Sequence, residues 1–252
     1  MKKILVIGDS CTDIFQYGKC ERLSPEAPVP IFKPTNITTN GGMSINVAEN
    51  IRSLGAECNL VTNDLRPAKT RYVDETSNQI LLRVDVNDEV KEIDEDLLIQ
   101  IKFDEYDAVV ISDYNKGFLS KDDIEFISKN HPVVFMDTKK ELGLWAENVR
   151  FIKLNEKEFE QNTGREFRNK YMHYLIVTKG GAGAELNNSR QFPIKNEHPV
   201  RDLSGAGDTF LAALVVEYLK SNNMEEAIHF ANKCSSWVVT KKGVVSVNPE
   251  LI

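Results

Sequence analysis

Short apolar runs rich in β-branched residues alternate with helical stretches along this chain, and this alternation limits its fold more than any other feature. Six runs predict strands, at residues 4–7, 58–62, 108–112, 133–137, 151–154 and 175–178. Six further stretches predict helices, at residues 44–54, 95–101, 121–129, 156–163, 207–221 and 224–241. Strands that alternate with helices form a mostly parallel sheet covered on both faces. We therefore expect an α/β fold with a doubly wound sheet, which binds ligands at the carboxyl ends of its strands.

Two segments do not fit the alternation and predict a small second sheet. Residues 15–40 contain Ser24-Pro25-Glu26-Ala27-Pro28-Val29-Pro30, a string that excludes helix and favours an extended or edge segment. Residues 70–86 predict two strands around an Asp-Glu-Thr-Ser-Asn turn. Together they predict a β lid over the strand ends, which would keep water out of a site there. The exposed edges of such a lid favour pairing with a second copy of the chain.

Size, charge and cysteine use narrow the functional classes. A length of 252 residues favours one domain over residues 1–252, with the lid as an appendage. The net charge of −7 argues against a nucleic-acid partner, so any phosphorylated ligand must be held by local basic residues or helix ends. Four scattered cysteines are typical of reduced thiols in a cytoplasmic protein. The sequence contains no apolar run of the roughly 18 residues that a membrane span needs, and its start predicts a strand rather than a signal peptide.

The glycine-rich turn at residues 200–210 is the strongest candidate for a catalytic element. Gly205-Ala206-Gly207 leads into Asp208 and then into an apolar helix. The bare backbone and the helix N-terminus, which carries roughly half a positive charge, together favour an anion. A carboxylate beside a bound phosphate is unfavourable unless it serves as a base for an attacking hydroxyl. The alternative is a plain loop in which Asp208 stabilises the helix start.

Two further groups of polar residues follow predicted strands or open predicted helices. Asp13 comes shortly after the first strand, and Gly41-Gly42 precedes a helix that carries Asn46. Asn155 and Glu158 follow a later strand, and the segment from Thr178 through Gly180 to Gly183 ends another. Each feature has a simpler structural alternative. These are an acidic turn for Asp13, an N-cap by Ser44 for the helix after Gly41-Gly42, a charged helix start for Asn155 and Glu158, and a tight β-turn for residues 178–183. Asn232 lies on the last predicted helix, where a surface amide is the simpler interpretation.

The string Asp-Leu-Ser-Gly-Ala-Gly-Asp-Thr at residues 202–209 resembles the C-terminal signature of the ribokinase-like (PfkB) carbohydrate kinases. The resemblance implies ATP and Mg²⁺ as cofactors and leaves a requirement for a monovalent cation open. It implies that Asp208 is the catalytic base and that the backbone of Gly205, Ala206 and Gly207 forms an anion hole. For the acceptor sugar, it implies contacts from Asp13, Gly41, Gly42 and Asn46. For the nucleotide, it implies Asn155, Thr178, Gly180, Gly183 and Asn232, with Glu158 organising the metal through water.

Three segments narrow the resemblance to the kinase half of bacterial D-glycero-D-manno-heptose 7-phosphate kinases. They are residues 22–30, 46–50 and 112–117. The implied reaction is phosphorylation of the anomeric hydroxyl of heptose 7-phosphate. The exposed lid edges described above predict a homodimer joined through the lid. Basic residues that could hold the distal phosphate are Arg22, Arg71, Lys116 and Lys139, and the sequence does not rank them. The chain holds no nucleotidyltransferase half, so we expect that transfer from another chain.

Two departures from the resemblance keep alternatives open. The segment 61–64 leads almost directly into 66–71, where relatives place a helix and a strand. Met43 replaces a smaller residue beside the predicted sugar site. A kinase of the same fold for another sugar or sugar phosphate, or a catalytically silent sugar- or nucleotide-binding protein, therefore remains as an alternative.

Overall fold

The computed structural model describes residues 1–65, 67–162, 174–194 and 199–251. Its strands are β1 Lys3–Gly8, β2 Ser10–Leu23, β3 Pro30–Met43, β4 Glu57–Val61, β5 Ala68–Asp74, β6 Ile80–Val86, β7 Ala108–Asp113, β8 Val134–Thr138, β9 Phe151–Asn155, β10 Tyr174–Thr178, β11 Ala184–Leu186 and β12 Arg190–Phe192. Its helices are α1 Ser44–Ser53, α2 Glu95–Gln100, α3 Lys121–Asn130, α4 Glu156–Gln161, α5 Ala206–Ser221 and α6 Met224–Val238. Every predicted strand and helix is present within a few residues of its predicted ends. The predicted end of the helix at 156–163 lies outside the described residues.

The main sheet is doubly wound and mostly parallel, as predicted. Its eight strands run in the order β12-β11-β10-β9-β8-β7-β1-β4. The six strands β4, β1, β7, β8, β9 and β10 are parallel to one another, whereas β11 is antiparallel to β10 and β12 is antiparallel to β11. The carboxyl ends of six strands therefore meet at one edge, and the chain there carries most of the predicted site residues.

Both faces of the main sheet are buried, each by a separate set of helices. Ile4 and Val6 of β1 pack with α1, α5 and α6 on one face, in a cluster that includes the stacked rings of Phe135 and Phe151, 4.1 Å apart. Leu5 and Ile7 point to the other face, where α2 and α3 cover them. This alternation follows from the period of two in a strand. The described part of the chain contains no helix of the length and apolar character that a membrane span requires.

The predicted lid is a four-stranded sheet in the order β3-β2-β5-β6. It is larger than the sequence indicated, because β2 starts at Ser10 and β3 ends at Met43. Only Asp9 separates β1 from β2, and α1 starts directly after β3. The link from β4 to β5 is also short, so the chain enters the lid where the resemblance placed an additional helix and strand. The lid is therefore joined to the main sheet without long loops.

Candidate active site

Helix α5 starts in a backbone conformation that glycine alone adopts easily. Gly205 precedes the helix with a φ of +78°, and a Cβ there would lie 2.6 Å from the side-chain nitrogen of Asn46. The Ala206 amide donates to the Leu203 carbonyl at 3.3 Å. The amides of Gly205 and Gly207 have no acceptor among the described residues. The start of α5 therefore has free donors that could bind an anion.

Asp208 lies in the first turn of α5 and is almost fully buried. Tyr114 donates to its Oδ1 at 2.6 Å and Asn46 donates to its Oδ2 at 3.1 Å. Burial raises the pKa of Asp208 to about 6, although both hydrogen bonds act to lower it. The carboxylate is therefore ionised near neutral pH and basic enough to accept a proton from a hydroxyl.

The contact from Asn46 differs from the role that the sequence suggested, which was a grip on the sugar. Its side-chain nitrogen is directed at Asp208 and, at 3.4 Å, at the Gly205 carbonyl. One helical turn further, Asn50 donates to the Asn46 Oδ1 at 3.0 Å and fixes the orientation of that amide. In this structure, Asn46 orients the carboxylate of Asp208.

Tyr114 reaches Asp208 because a buried carboxylate fixes the loop after β7. Asp9 is fully buried and accepts the amides of Tyr114 at 2.7 Å, Lys116 at 3.3 Å and Phe118 at 3.2 Å. Burial and the neighbouring Asp113 raise the pKa of Asp9, which these amides counteract. Asp9 therefore connects the end of β1 to the loop that positions the tyrosine.

A buried lysine lies beside the start of α5. Lys153 of β9 forms an ion pair with Asp137 of β8 at 2.5 Å and is only 4% exposed. A Cβ placed on Gly207 would lie 3.1 Å from the Lys153 ammonium. Although burial opposes it, Asp137 and the other nearby carboxylates raise the pKa of Lys153, so the ammonium stays charged. The glycine-lined helix start therefore has a fixed positive charge next to its amides.

A cavity of about 480 Å³ opens at the same edge of the sheet. Its lining includes every residue that the sequence assigned to the nucleotide or the metal, together with part of the α5 start: Asn155, Glu158, Thr178, Gly180, Gly183, Ala206, Gly207 and Asn232. These positions come from four separate stretches of the chain, and the fold brings them together at one cavity. The cavity is large enough for a nucleotide-sized ligand.

Several lining residues also carry local structure, as the simpler alternatives proposed. Asn155 and Glu158 form a capping box at α4, each side chain accepting the other's amide at 2.8 Å. Burial and Asp137 raise the pKa of Glu158. Asn232 donates to the Phe192 carbonyl at 2.9 Å and is buried rather than a surface amide. The structural and the cavity-lining roles of these residues coexist.

The predicted acceptor residues lie on the other side of Asp208, at the base of the lid. Asp13 of β2 is buried and forms an ion pair with Arg71 of β5 at 2.5 Å. Gly42 leaves room for this carboxylate, because a Cβ there would lie 2.1 Å from Asp13 Oδ2. Gly41 lies against Ile45 instead. Lys116 forms an ion pair with Asp88 and is thus partly neutralised.

Sequence reasoning missed three residues near Asp208: Tyr114, Lys153 and, at the base of the lid, Lys69, whose ammonium lies 5.5 Å from the centre of the Tyr114 ring. Lys153 left a signal, since it is a lysine inside an otherwise apolar strand. The only sequence signal for Tyr114 was its place in the segment 112–117 that carries the resemblance, because its partner Asp208 is 94 residues away. Lys69 follows the short link after β4 and left no signal that separates it from the other lysines.

The fold and the site define a class of protein: a ribokinase-like phosphotransferase that acts on a sugar hydroxyl. A buried carboxylate at a glycine-lined helix start, a cavity large enough for a nucleotide and a small second sheet are its parts. The chain belongs to the pfkB family of carbohydrate kinases, whose family model matches residues 73–251.

Comparison with individual proteins agrees with this assignment. The chain is 33% identical, over 297 aligned positions, to a bifunctional protein HldE of Helicobacter pylori (strain J99), and the alignment covers 96% of this chain. It spans 64% of that relative's length. The alignment is longer than the 252 residues of this chain, so the relative has segments that this chain lacks.

Solved structures confirm the fold. A ribokinase of Thermotoga maritima superposes with a TM-score of 0.75 at 19% identity, covering 100% of this chain and 98% of its own. An Arabidopsis thaliana ribokinase complexed with ribose and ATP superposes with a TM-score of 0.68 at 15% identity, covering 97% and 95%. At these identities the likeness establishes the architecture and leaves the acceptor to be argued from the site.

Proposed function

We propose that this carbohydrate kinase transfers the γ-phosphoryl group of ATP to the anomeric hydroxyl of D-glycero-D-manno-heptose 7-phosphate. The observation that carries the proposal is Asp208, buried and hydrogen-bonded at the start of α5, with free backbone donors beside it. Asp208 accepts the proton of the attacking hydroxyl. The hydroxyl oxygen forms a bond to the γ-phosphorus while the bond to the bridging oxygen breaks, and ADP leaves.

The cavity beside α5 is the proposed ATP site. The free amides of Gly205 and Gly207 and the Lys153 ammonium would stabilise the negative charge of the transferring phosphoryl group. Thr178, Gly180 and Gly183 lie where the nucleotide would pass the end of β10. The ATP in the Arabidopsis ribokinase complex supports a nucleotide donor for a protein of this fold.

The donor set at the cavity fits Mg²⁺ bound largely through water and phosphate. Among the described residues, no cluster of three or more histidine, cysteine or acidic side chains forms a metal cage. Three carboxylates, Asp113, Asp137 and Glu158, line the cavity, and the first two are paired with Lys140 and Lys153. Mg²⁺ usually keeps several waters and uses one or two carboxylates together with substrate phosphates. Glu158 would hold the ion through water, and the ion would neutralise charge on the phosphates.

The acceptor assignment is supported by the segments at 22–30, 46–50 and 112–117. The last of these contains Tyr114, whose hydroxyl contacts the base, and Lys116. Asp13 and Arg71 lie at the lid base, where a sugar would have access to Asp208. Met43 is buried at the end of β3, across from Ser10 of β2.

The test is coupled ADP release with Mg·ATP against heptose 7-phosphate, other sugar phosphates and free sugars. Asp208→Asn serves as the control, because it keeps the shape of the side chain and removes the base. We expect turnover on heptose 7-phosphate that falls at least about 1,000-fold in Asp208→Asn. Turnover on another sugar alone would overturn the acceptor. Ligand-induced stabilisation without turnover on any member of the panel would indicate a silent binder.

The lid is the proposed contact between two copies of the chain. Strand β6 is exposed along its whole length, and Ile80, Leu82, Val84 and Val86 are 38–56% exposed. Alternate residues of a strand point to one face, so these four form an apolar stripe at the edge of the lid. Light scattering should show a dimer that dissociates in Leu82→Asp/Val84→Asp, and a wild-type monomer would contradict the proposal.

A further inference from the structure

One buried lysine at the base of the lid has neither a hydrogen bond nor an ion pair to any residue in the described part of the chain. Lys69 of β5 is 7% exposed. Its ammonium lies 5.5 Å from the centre of the Tyr114 ring, which is its one direct contact of note. Burial lowers the pKa of Lys69. An unpaired buried charge is costly, so its presence here calls for a ligand that neutralises it.

The neighbouring carboxylates do not neutralise Lys69, because arginines already bind them. Lys69 lies directly across from Asp13 of β2 and from Asp85 of β6. Asp13 pairs with Arg71, and Asp85 accepts two hydrogen bonds from Arg83 at 2.7 and 2.6 Å. Two steps along the same strand, Arg71 lies across from Arg83. Arg71 with Asp13 and Arg83 with Asp85 therefore form two arginine–carboxylate pairs in the lid, and Lys69 between them has no carboxylate partner.

Other positively charged side chains lie near Lys69. Arg83 and Lys116 lie near enough to act against its charge. Lys116 is itself paired with Asp88. The cluster of Lys69, Arg71, Arg83 and Lys116 thus holds four cations against the carboxylates of Asp13, Asp85 and Asp88. The excess is one positive charge, and it is located on the residue that lacks a partner.

Lys69 lies on the acceptor side of the site and close to the base. The Tyr114 ring that it faces carries the hydroxyl that donates to Asp208 at 2.6 Å. Lys139, in contrast, approaches the same ring to 4.4 Å but lines the proposed ATP cavity. One aromatic side chain therefore connects the base to a lysine on the donor side and to a lysine on the lid side. The donor phosphates account for the first lysine and leave the second unexplained.

We infer that Lys69 binds a phosphate monoester group on the acceptor, so that the substrate class is a sugar phosphate rather than a free sugar. The inference rests on the proposed function, since it assigns a second phosphate site to the same kinase. A lysine is a compact charge suited to a terminal phosphate, which it can meet without the fixed fork of an arginine. Lys69 replaces the four basic residues suggested by the sequence as the primary contact, with Lys116 and Arg71 beside it.

The test compares Lys69→Met with Lys19→Met, which removes an exposed lysine from the same lid. For Lys69→Met, we expect the KM for the phosphorylated acceptor to rise about 100-fold, while the KM for ATP changes less than about twofold. If the matching unphosphorylated sugar is turned over, its kcat/KM should fall far less than that of the phosphorylated acceptor. Lys69→Arg should recover part of the loss. An equal loss on both acceptors, or an increase confined to the KM for ATP, would overturn the inference.

Thermal unfolding supplies a second readout that a structural lysine would not produce. Removing an unpaired buried charge should raise the Tm of the ligand-free enzyme by about 2–4 °C. The same variant should lose the stabilisation given by the sugar phosphate and keep that given by a non-hydrolysable ATP analogue. A lower Tm together with an unchanged increase in Tm on binding of the sugar phosphate would contradict the inference.

The acceptor panel separates this inference from the heptose assignment. If another sugar phosphate is preferred and its use depends on Lys69, the inference stands and the heptose assignment fails. If a free sugar is preferred over its own phosphate, the inference fails whichever sugar it is. If no sugar phosphate is turned over or stabilises the protein, the inference also fails.

Discussion

The donor side and the acceptor side of Asp208 use lysine in opposite ways. On the donor side, Lys153 is buried against Asp137, and its charge is fixed beside the start of α5 before any ligand binds. On the acceptor side, Lys69 is equally buried and has no such partner in the described chain. A paired lysine contributes to the folded state and to catalysis together. An unpaired lysine lowers the stability of the free protein and gains its partner only from a ligand. We therefore expect phosphoryl transfer to depend on the main sheet and the choice of substrate to depend on the lid.

The largest effect that distinguishes the two sides is expected from Lys153→Met. It removes the positive charge beside Gly207, so kcat should fall about 100- to 1,000-fold with any acceptor. Steady-state kinetics with two acceptors checks this, and Lys157→Met, on the exposed part of α4, is the matched control. The double variant Asp137→Asn/Lys153→Met also removes the carboxylate that Lys153→Met leaves unpaired. If the double variant folds and has the same low kcat, the loss does not reflect misfolding. A loss restricted to one acceptor would mean that the two sides are not separate.

A smaller effect, dependent on pH, is expected from Tyr114→Phe. The tyrosine hydrogen bond lowers the pKa of Asp208, so its removal should raise that pKa further above 6. The base must be ionised to act, and activity is therefore lost as pH falls through this pKa. We expect the acidic limb of the kcat/KM profile to move up by about one pH unit, with a loss of up to about tenfold near pH 6. An acidic limb at the wild-type position would show that Tyr114 does not tune the base.

The smallest effect concerns stability. Asp208 has a pKa raised from 3.8 to about 6 on folding, so its ionised form destabilises the folded state at high pH. Asp208→Asn should increase the free energy of unfolding by about 1–3 kcal/mol at pH 8. The gain should shrink as pH falls from about 6 towards 4, where the folded wild-type carboxylate is protonated. Urea unfolding at pH 8 and pH 5 measures this, and a difference that grows at pH 5 would contradict it.

The main sheet could be predicted from the sequence and the lid only in outline, for a physical reason. Strands such as β1 and β7 are buried on both faces, so each is a continuous apolar run that local sequence reveals. Strand β2 begins with Ser10, Cys11 and Thr12, whose extended conformation depends on pairing with β3 and β5. Its start was therefore not predictable from local pattern.

Within the site, the glycine turn and the cavity lining followed from motifs, whereas the contacts between distant residues did not. Gly205 and Gly207 are informative because their backbone role shows in the sequence itself. The bonds of Asn46 and Tyr114 to Asp208 span 162 and 94 residues, and no local feature specifies them. The isolation of Lys69 is a property of its neighbours' pairing, which only the folded sheet shows.

The direct passage from β3 into α1 has a mechanical consequence. Met43 ends the lid strand, and Asn46, which holds the carboxylate of Asp208, lies in the first turn of the helix that follows. Met43 has a φ of +58°, which is uncommon for a residue with a side chain, and no loop residue lies between it and the helix. The lid strand β3 and helix α1 are therefore directly connected. A displacement of β3 would therefore be passed to Asn46 through the start of α1, and the hydrogen bond that Asn46 donates to Asp208 would change with the position of the lid.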